Sequence, residues 1–380
     1  MAFGVYVHLA FCPYLCPYCD FAKWPYRSSS ATRYLAAIDA ELERCTPRPA
    51  ETIFIGGGTP NTYDAATLAS LVRRLRERFP GDGGQEVTIE LNPELVRDGD
   101  FEAYRDAGVT RLSIGVQSFD DAEIRELGRG HTVADVERAV SLARAARTPS
   151  VSVDLIFAVP GQSAASWGAS LDRAIALGVD HVSTYGLTVE QGTPYAARYA
   201  HEPEHFLDDG AEAELYALAM ERLEAAGYEQ YEISNFARPG HRCAHNENYW
   251  QNGEYLGIGV GATSYDGTER SAHTRDLDAY LAAALGGETI PGESERLDPA
   301  RRAGEAIMLA LRTAQGVRLR AFKERYGIDL PNRYRSTLDT FAAAGLLEEV
   351  DDAVRLTRRG RFFANDVCAA FLEVPKFVRA

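Results

Sequence analysis

Cationic side chains are in short supply: 40 Lys and Arg stand against 55 Asp and Glu, a formal net charge of −15 over 380 residues. A surface of that sign repels phosphate backbones, so nucleic acid is not an expected partner. Long apolar runs are missing as well, and no stretch of about 18 residues reads as a membrane-crossing helix. Only six cysteines occur, too few for a disulfide framework and consistent with a reducing compartment. The first residues carry neither the basic start nor the cleavage pattern of a signal peptide, so the expected location is the cytoplasm. Apolar content of 46% and charged content of 25% are ordinary for a globular protein. A chain of this length can bury one barrel-sized domain and a smaller one.

Half of the scarce cysteines sit together. Cys12, Cys16 and Cys19 form a C-x3-C-x2-C triplet directly behind the apolar run Phe3–Leu9. Three thiolates in one short loop suit three corners of a cubane iron–sulfur cluster, which four cysteines usually close. The next cysteine is Cys45, so a fourth iron would stay open to a small molecule. Other readings stand beside this one. Cys16-Pro-Tyr-Cys19 is also the spacing of a redox dithiol, and a zinc site could take Asp20 or a distant histidine as its fourth ligand. Covalent haem attachment is excluded, because Asp20 rather than histidine follows Cys19.

Short β-rich runs alternate with segments of helical period through the first half. Strands are expected at Gly4–Leu9, Thr52–Ile55, Val87–Leu91, Arg111–Val116, Val151–Phe157 and His181–Leu187. Helices are expected between them, and Thr132 with Asp135 forms a capping-box start for one. Alternation with mostly continuous apolar strands predicts a parallel sheet covered by helices, a partial (β/α)6 barrel of TIM type. The unusual residues fall at the ends of these strands: the cysteine loop, Gly56-Gly57-Gly58-Thr59, Glu90, Gln117, Asp154 and Thr188. Carboxyl ends of barrel strands share one rim, where active sites form, so these stretches are expected to converge.

After residue 230 the rhythm changes. Ser234–Trp250 reads as an ordered functional loop, Tyr255–Tyr265 as a close backbone approach, and Gly286–Glu295 as a linker. Helices and a small hairpin then predict a mainly helical, winged-helix-like C-terminal domain. The expected division is 1–230 for the partial barrel, 231–290 for a segment completing it, and 291–380 for the C-terminal domain.

Several linked motifs carry a resemblance that spans nearly the whole sequence. They are Y-V-H-L-A-F-C-P-Y-L-C-P-Y-C-D-F, I-F-I-G-G-G-T-P, I-E-L-N-P-E, R-L-S-I-G-V-Q-S-F, L-G-R-G-H-T and V-D-L-I-F-A-V-P-G-Q. Together they resemble the radical S-adenosylmethionine (SAM) superfamily, in the branch holding oxygen-independent coproporphyrinogen III oxidase and the HemW-type haem chaperones. Three features resemble the chaperone side: a triplet beginning at residue 12, Asp20-Phe21 in place of Gly-Cys after the third cysteine, and His245-Asn246-x-x-Tyr249-Trp250.

The resemblance implies a 4Fe-4S cluster on Cys12, Cys16 and Cys19, with SAM on its open iron. It implies SAM contacts from Gly57, Gly58 and Thr59, shielding by Tyr6 and Tyr18, and polar contacts from Glu90, Gln117, Arg129, Asp154 and Thr188. It also implies haem, with His245 as iron ligand. The partners would be acceptor haemoproteins, membrane respiratory enzymes among them, and an electron donor such as flavodoxin or ferredoxin. The implied function is haem delivery; the alternative is anaerobic oxidative decarboxylation of coproporphyrinogen III, and whether the chain is an enzyme stays open. Two positions depart from the family pattern: Ala10 stands where proline is usual, and Thr263 where histidine is usual.

Overall fold

The computed structural model describes residues 3–372. Each of the six expected strands forms: β1 (Phe3–Leu9), β2 (Thr52–Gly57), β3 (Glu86–Leu91), β4 (Arg111–Gln117), β5 (Ser150–Phe157) and β6 (His181–Gly186). They pair in parallel and in sequence order. Helices α1 (Ser28–Arg44), α2 (Ala65–Arg78), α3 (Asp100–Ala107), α4 (Val133–Ala145), α5 (Ala164–Ala176) and α6 (Asp209–Ala225) lie between or after them. The capping box at Thr132 and Asp135 is present, and Ser163 with Ser166 makes a second at the start of α5.

The sheet extends beyond these six strands. Short strand β8 (Asn235–Ala237) adds antiparallel to β6, and β7 (Glu229–Gln230) adds antiparallel to β8. Beyond β1, β9 (Glu254–Ile258) pairs in parallel, followed antiparallel by β10 (Thr263–Tyr265), β11 (Glu269–His273) and β12 (Gly292–Arg296). Among the described residues the result is one open, mixed, twelve-stranded sheet with no closed barrel. One expectation is corrected here. Gly286–Glu295 is not a linker, since β12 begins at Gly292 and pairs with β11. The strands within residues 231–290 lie in the same sheet as β1 to β6.

Glycine spacing in Tyr255–Tyr265 has the anticipated cause. A Cβ on Gly257 would lie 2.3 Å from the Thr263 carbonyl oxygen, and Gly259 has φ +109°. Buried Glu41 fastens this edge to the core by accepting from the Gly259 N–H at 3.0 Å and the Tyr280 hydroxyl at 2.6 Å.

The strands are not continuously apolar. Their outward face carries Val5, Val7, Ile53, Ile55, Ile89, Leu112, Ile114, Val151 and Val153, all fully buried beneath the helices. The inward face is polar: Thr52, Thr88, Glu90, Arg111, Ser113, Ser152, Asp154, His181 and Ser183. Barrels of this class usually fill their interior with branched apolar side chains. Here the core lies outside the sheet and the interior is left for polar groups.

The tail has the expected form. Helices α7 (Pro299–Leu311), α8 (Leu319–Tyr326) and α9 (Arg335–Ala343) pack with strands β13 (Val317–Arg318), β14 (Leu347–Val350) and β15 (Ala353–Leu356), in sheet order β13-β15-β14. Its apolar cluster is separate from that of the large sheet. No helix among the described residues is long and apolar enough to cross a membrane.

Candidate functional site

A cavity of about 540 Å³ runs from the cysteine loop down into the sheet's concave side. Its lining includes Cys12, Cys16, Cys19, Tyr18, Gly57, Gly58, Thr59, Glu90, Gln117, Arg129, Asp154 and Thr188. Strand ends that are far apart in sequence thus meet at one rim. Two expected residues do not reach it. Tyr6 lies behind the lining, where its hydroxyl meets His8 Nδ1 at 3.0 Å and its ring packs near Phe54. His245 lies beneath the lining.

At the rim all three cysteines are free thiols. Cys12 is 8% exposed, and burial pushes its pKa up to about 11. No three His, Cys, Asp or Glu side chains among the described residues converge on a single metal-ion position; the thiols surround the cavity mouth. Their loop is fastened from below. His8 gives its Nε2 proton to the Ala22 carbonyl at 2.7 Å, which leaves Nδ1 to accept from Tyr6.

The glycine run earns its composition through packing against its own chain. A Cβ on Gly58 would stand 2.6 Å from the Leu9 carbonyl oxygen and 2.8 Å from that of Phe11. Gly57, at φ +102°, would drive a Cβ into the His8 ring. Only glycine lets this strand end lie so close beneath the cysteine loop.

Arg129 is the rim's buried cation. It donates Nη2 to Asn92 Oδ1 at 2.6 Å and to the Gly115 carbonyl at 3.0 Å, while Nη1 lies 3.7 Å from Cys16 Sγ. Its buried Nε has no partner, so the site retains capacity for an anion. Asn92 is itself held by the Tyr14 hydroxyl. A bulge at the end of β4 puts Gln117 at φ +66° and turns it to the cavity. Tyr18 packs edge-on against Tyr195, and Thr188 stands exposed at the lip.

Two carboxylates share the interior. Asp154 accepts from Ser113 Oγ at 2.9 Å and Ser183 Oγ at 2.7 Å; burial still raises its pKa. Glu90 accepts the Gly57 N–H at 3.1 Å, and burial, then the Asp154 charge, push it up to about 7. Its folded pKa therefore exceeds the ordinary value near 4.3, and the Glu90 contribution to stability is complete below that value and lost as pH rises through 7. The loss amounts to about 3 kcal/mol at order of magnitude. Urea unfolding of the wild type and of Glu90→Gln at pH 5 and pH 8 checks this: the wild type should weaken relative to the variant as pH rises.

The segment expected to supply a haem ligand forms the floor. Helix Ala244–Trp250 begins under β3, where Glu86 accepts the backbone N–H groups of Ala244 and His245, each at 3.0 Å. His245 is 1% exposed, stacked on Phe54 with Tyr249 edge-on. Its Nδ1 meets Thr52 Oγ1 at 2.8 Å and its Nε2 meets the Tyr249 hydroxyl at 2.9 Å. Gly4 supplies the room, since a Cβ there would lie 3.2 Å from the ring. Burial pushes the His245 pKa down to about 3. Against the expectation of an iron ligand stands what the structure shows: the imidazole is neutral, enclosed and bonded through both nitrogens. Asn246 and Cys243, not His245, face the cavity. Thr263 lies in β10, away from the lining.

Residues the sequence reading passed over include Asn92, Tyr14, Arg111, Ser113 and Ser183. A period of two back from Gln117 gives Gly115, Ser113 and Arg111, all on the inward face, so alternation along β4 was the available signal.

Comparison with known proteins follows the same outline. The Radical SAM superfamily model matches residues 6–174, and a HemN C-terminal domain model matches 297–363. A protein of Mycobacterium tuberculosis (strain H37Rv) named heme chaperone HemW is 36% identical over 97% of this chain and 95% of its own length. The protein of that name from Bacillus subtilis (strain 168) is 34% identical over 97% and 99%. The solved structure of Escherichia coli coproporphyrinogen III oxidase (HemN), described as a radical SAM enzyme, superposes with TM-score 0.85. It is 22% identical, covering 97% of this chain and 90% of the other.

Proposed function

The chain belongs to the HemW family, a branch of the radical SAM superfamily, and on that premise we propose that it is a haem-binding chaperone carrying a SAM-capped 4Fe-4S cluster. The observation that carries this reading is the convergence of three free thiols, a glycine strand end and a buried arginine with spare donor capacity on one cavity mouth. Cys12, Cys16 and Cys19 would hold the cluster. Arg129 suits the SAM carboxylate, because a guanidinium fork matches two carboxylate oxygens. Glu90, Gln117 and Asp154 offer acceptors for amino and hydroxyl groups, with Tyr18 and Thr188 at the lip. When bound, the cluster and SAM supply one-electron reductive chemistry.

The chain's own part is to hold these groups dry and in register. His8 pins the cysteine loop, Gly58 lets the second strand end lie against it, and Asn92 fixes the guanidinium. Haem, acceptor haemoproteins and an electron donor of the flavodoxin or ferredoxin kind complete the proposed partners. The name shared by relatives at 34–36% identity supports the chaperone over the oxidase; the likeness to the oxidase structure concerns the fold. Anaerobic reconstitution followed by haem titration tests the reading. Stoichiometric uptake with a Soret band, and no vinyl groups formed from coproporphyrinogen III, is the expected result. Vinyl formation at catalytic turnover would replace the chaperone with the oxidase.

A further inference from the structure

Cationic guanidinium groups stand at both ends of the cavity, and neither has a carboxylate within ion-pair distance, though Asp154, farther off in the same cavity, feels both charges. Arg129 occupies the rim. Arg111, at the first position of β4, lies at the floor and is only 3% exposed. It donates Nη1 to Ser150 Oγ at 3.1 Å and to the His241 carbonyl at 2.9 Å, which leaves Nε and Nη2 uncommitted. Among the described residues no Asp or Glu oxygen comes within the 4.0 Å of an ion pair. Charged side chains buried this deeply are ordinarily paired, because removing an ion from water costs several kcal/mol.

The surroundings add neutral groups without partners. Asn246, half-buried on the floor helix, lines the cavity with its side-chain amide unbonded. Thr88 sits between Phe54 and Arg111 on the inward face, fully buried, with no partner for its hydroxyl. His181 cannot supply charge: it is bonded to Ser152 Oγ and the Tyr231 hydroxyl, and burial holds it neutral. Among the described residues Arg111 is thus the one cation lining this end.

We propose that the floor of the cavity is a second binding site, separate from the rim, for a small carboxylate held by Arg111 and Asn246. The free Nε–Nη2 edge of a guanidinium matches two carboxylate oxygens, and a side-chain amide adds a further donor. A monoanion is favoured over phosphate, because Asp154 and Glu90 line the same cavity and repel a second negative charge. The site stands whether or not the rim binds SAM, since no residue is shared between them.

The test is isothermal titration of the full chain with sodium propionate, propionamide and inorganic phosphate at constant ionic strength. Saturable binding of propionate, with propionamide and phosphate each at least tenfold weaker, is expected. Arg111→Gln should weaken propionate at least tenfold, and Asn246→Leu should do so where Arg111→Gln fails to fold. Arg129→Gln should leave the affinity within twofold. Absence of saturable binding overturns the proposal, as does equal binding of propionamide or phosphate. Loss in Arg129→Gln with retention in Arg111→Gln moves the carboxylate to the rim and equally overturns it.

Discussion

Serine in place of Cys16 empties the protein of iron while leaving its fold standing. Cys16 is half-buried in a loop whose strongest ties are made by other residues, His8 to Ala22 and Gly58 to Leu9. Its replacement should shift unfolding free energy by less than about 1 kcal/mol, the usual range for sites away from the core. Cluster occupancy answers to a different constraint. A triplet already leaves one iron without a protein ligand, so losing another thiolate leaves two corners open and the centre is not retained. Iron and sulfide should fall from about four of each per chain to near zero, whereas Cys45→Ser and Cys368→Ser keep them. Metal analysis beside far-ultraviolet circular dichroism reads both halves of the result. A Cys16→Ser protein that retains full iron would place the cluster elsewhere.

His245→Ala is the second large effect, and its signature is lost stability. The imidazole fills the space that Gly4 leaves open, stacks on Phe54, and satisfies two buried hydroxyls, Thr52 and Tyr249. Removing it creates a cavity and orphans both hydroxyls, a combined cost of about 3–5 kcal/mol. The pH dependence carries a sign of its own. With a folded pKa near 3 against about 6.5 when unfolded, His245 adds stability above pH 6.5 that is lost as pH falls toward 3. Glu90 acts in the opposite sense, so each is isolated by comparing a variant with wild type across pH. Urea unfolding at pH 7 and pH 5 measures the His245 component; the gap between wild type and variant should narrow at the lower pH. A His245→Ala protein of unchanged stability that loses its Soret band would return this side chain to the iron.

These two residues show how far the sequence could be read. The cysteine triplet was legible as a set because it is local: three thiols within eight positions need no tertiary information to be grouped, and all three line the cavity mouth. The rim was legible for a related reason, since six parallel strands in order bring their carboxyl ends to one side. His245 was not legible. An H-N-x-x-Y-W stretch shows a chemically capable imidazole, and nothing nearby in sequence reveals that Thr52, 193 residues away, bonds one nitrogen. The run Gly286–Glu295 failed similarly, because a glycine- and glutamate-rich strand that is exposed throughout carries no apolar alternation to mark it.

Sequence alone determined the parallel order of β1 to β6, the gathering of Cys12, Gly57, Gln117 and Asp154 at one rim, and the helix–hairpin form of the tail. These depend on local periodicity, capping and chain connectivity, which each segment carries within itself. Only tertiary structure decided that the sheet turns its polar face inward, that Ala244–Trp250 closes the floor, and that Arg111 is enclosed there without an ion-pair partner. Those outcomes depend on which distant groups satisfy, or fail to satisfy, a buried donor once water has been removed, and no single segment encodes that balance.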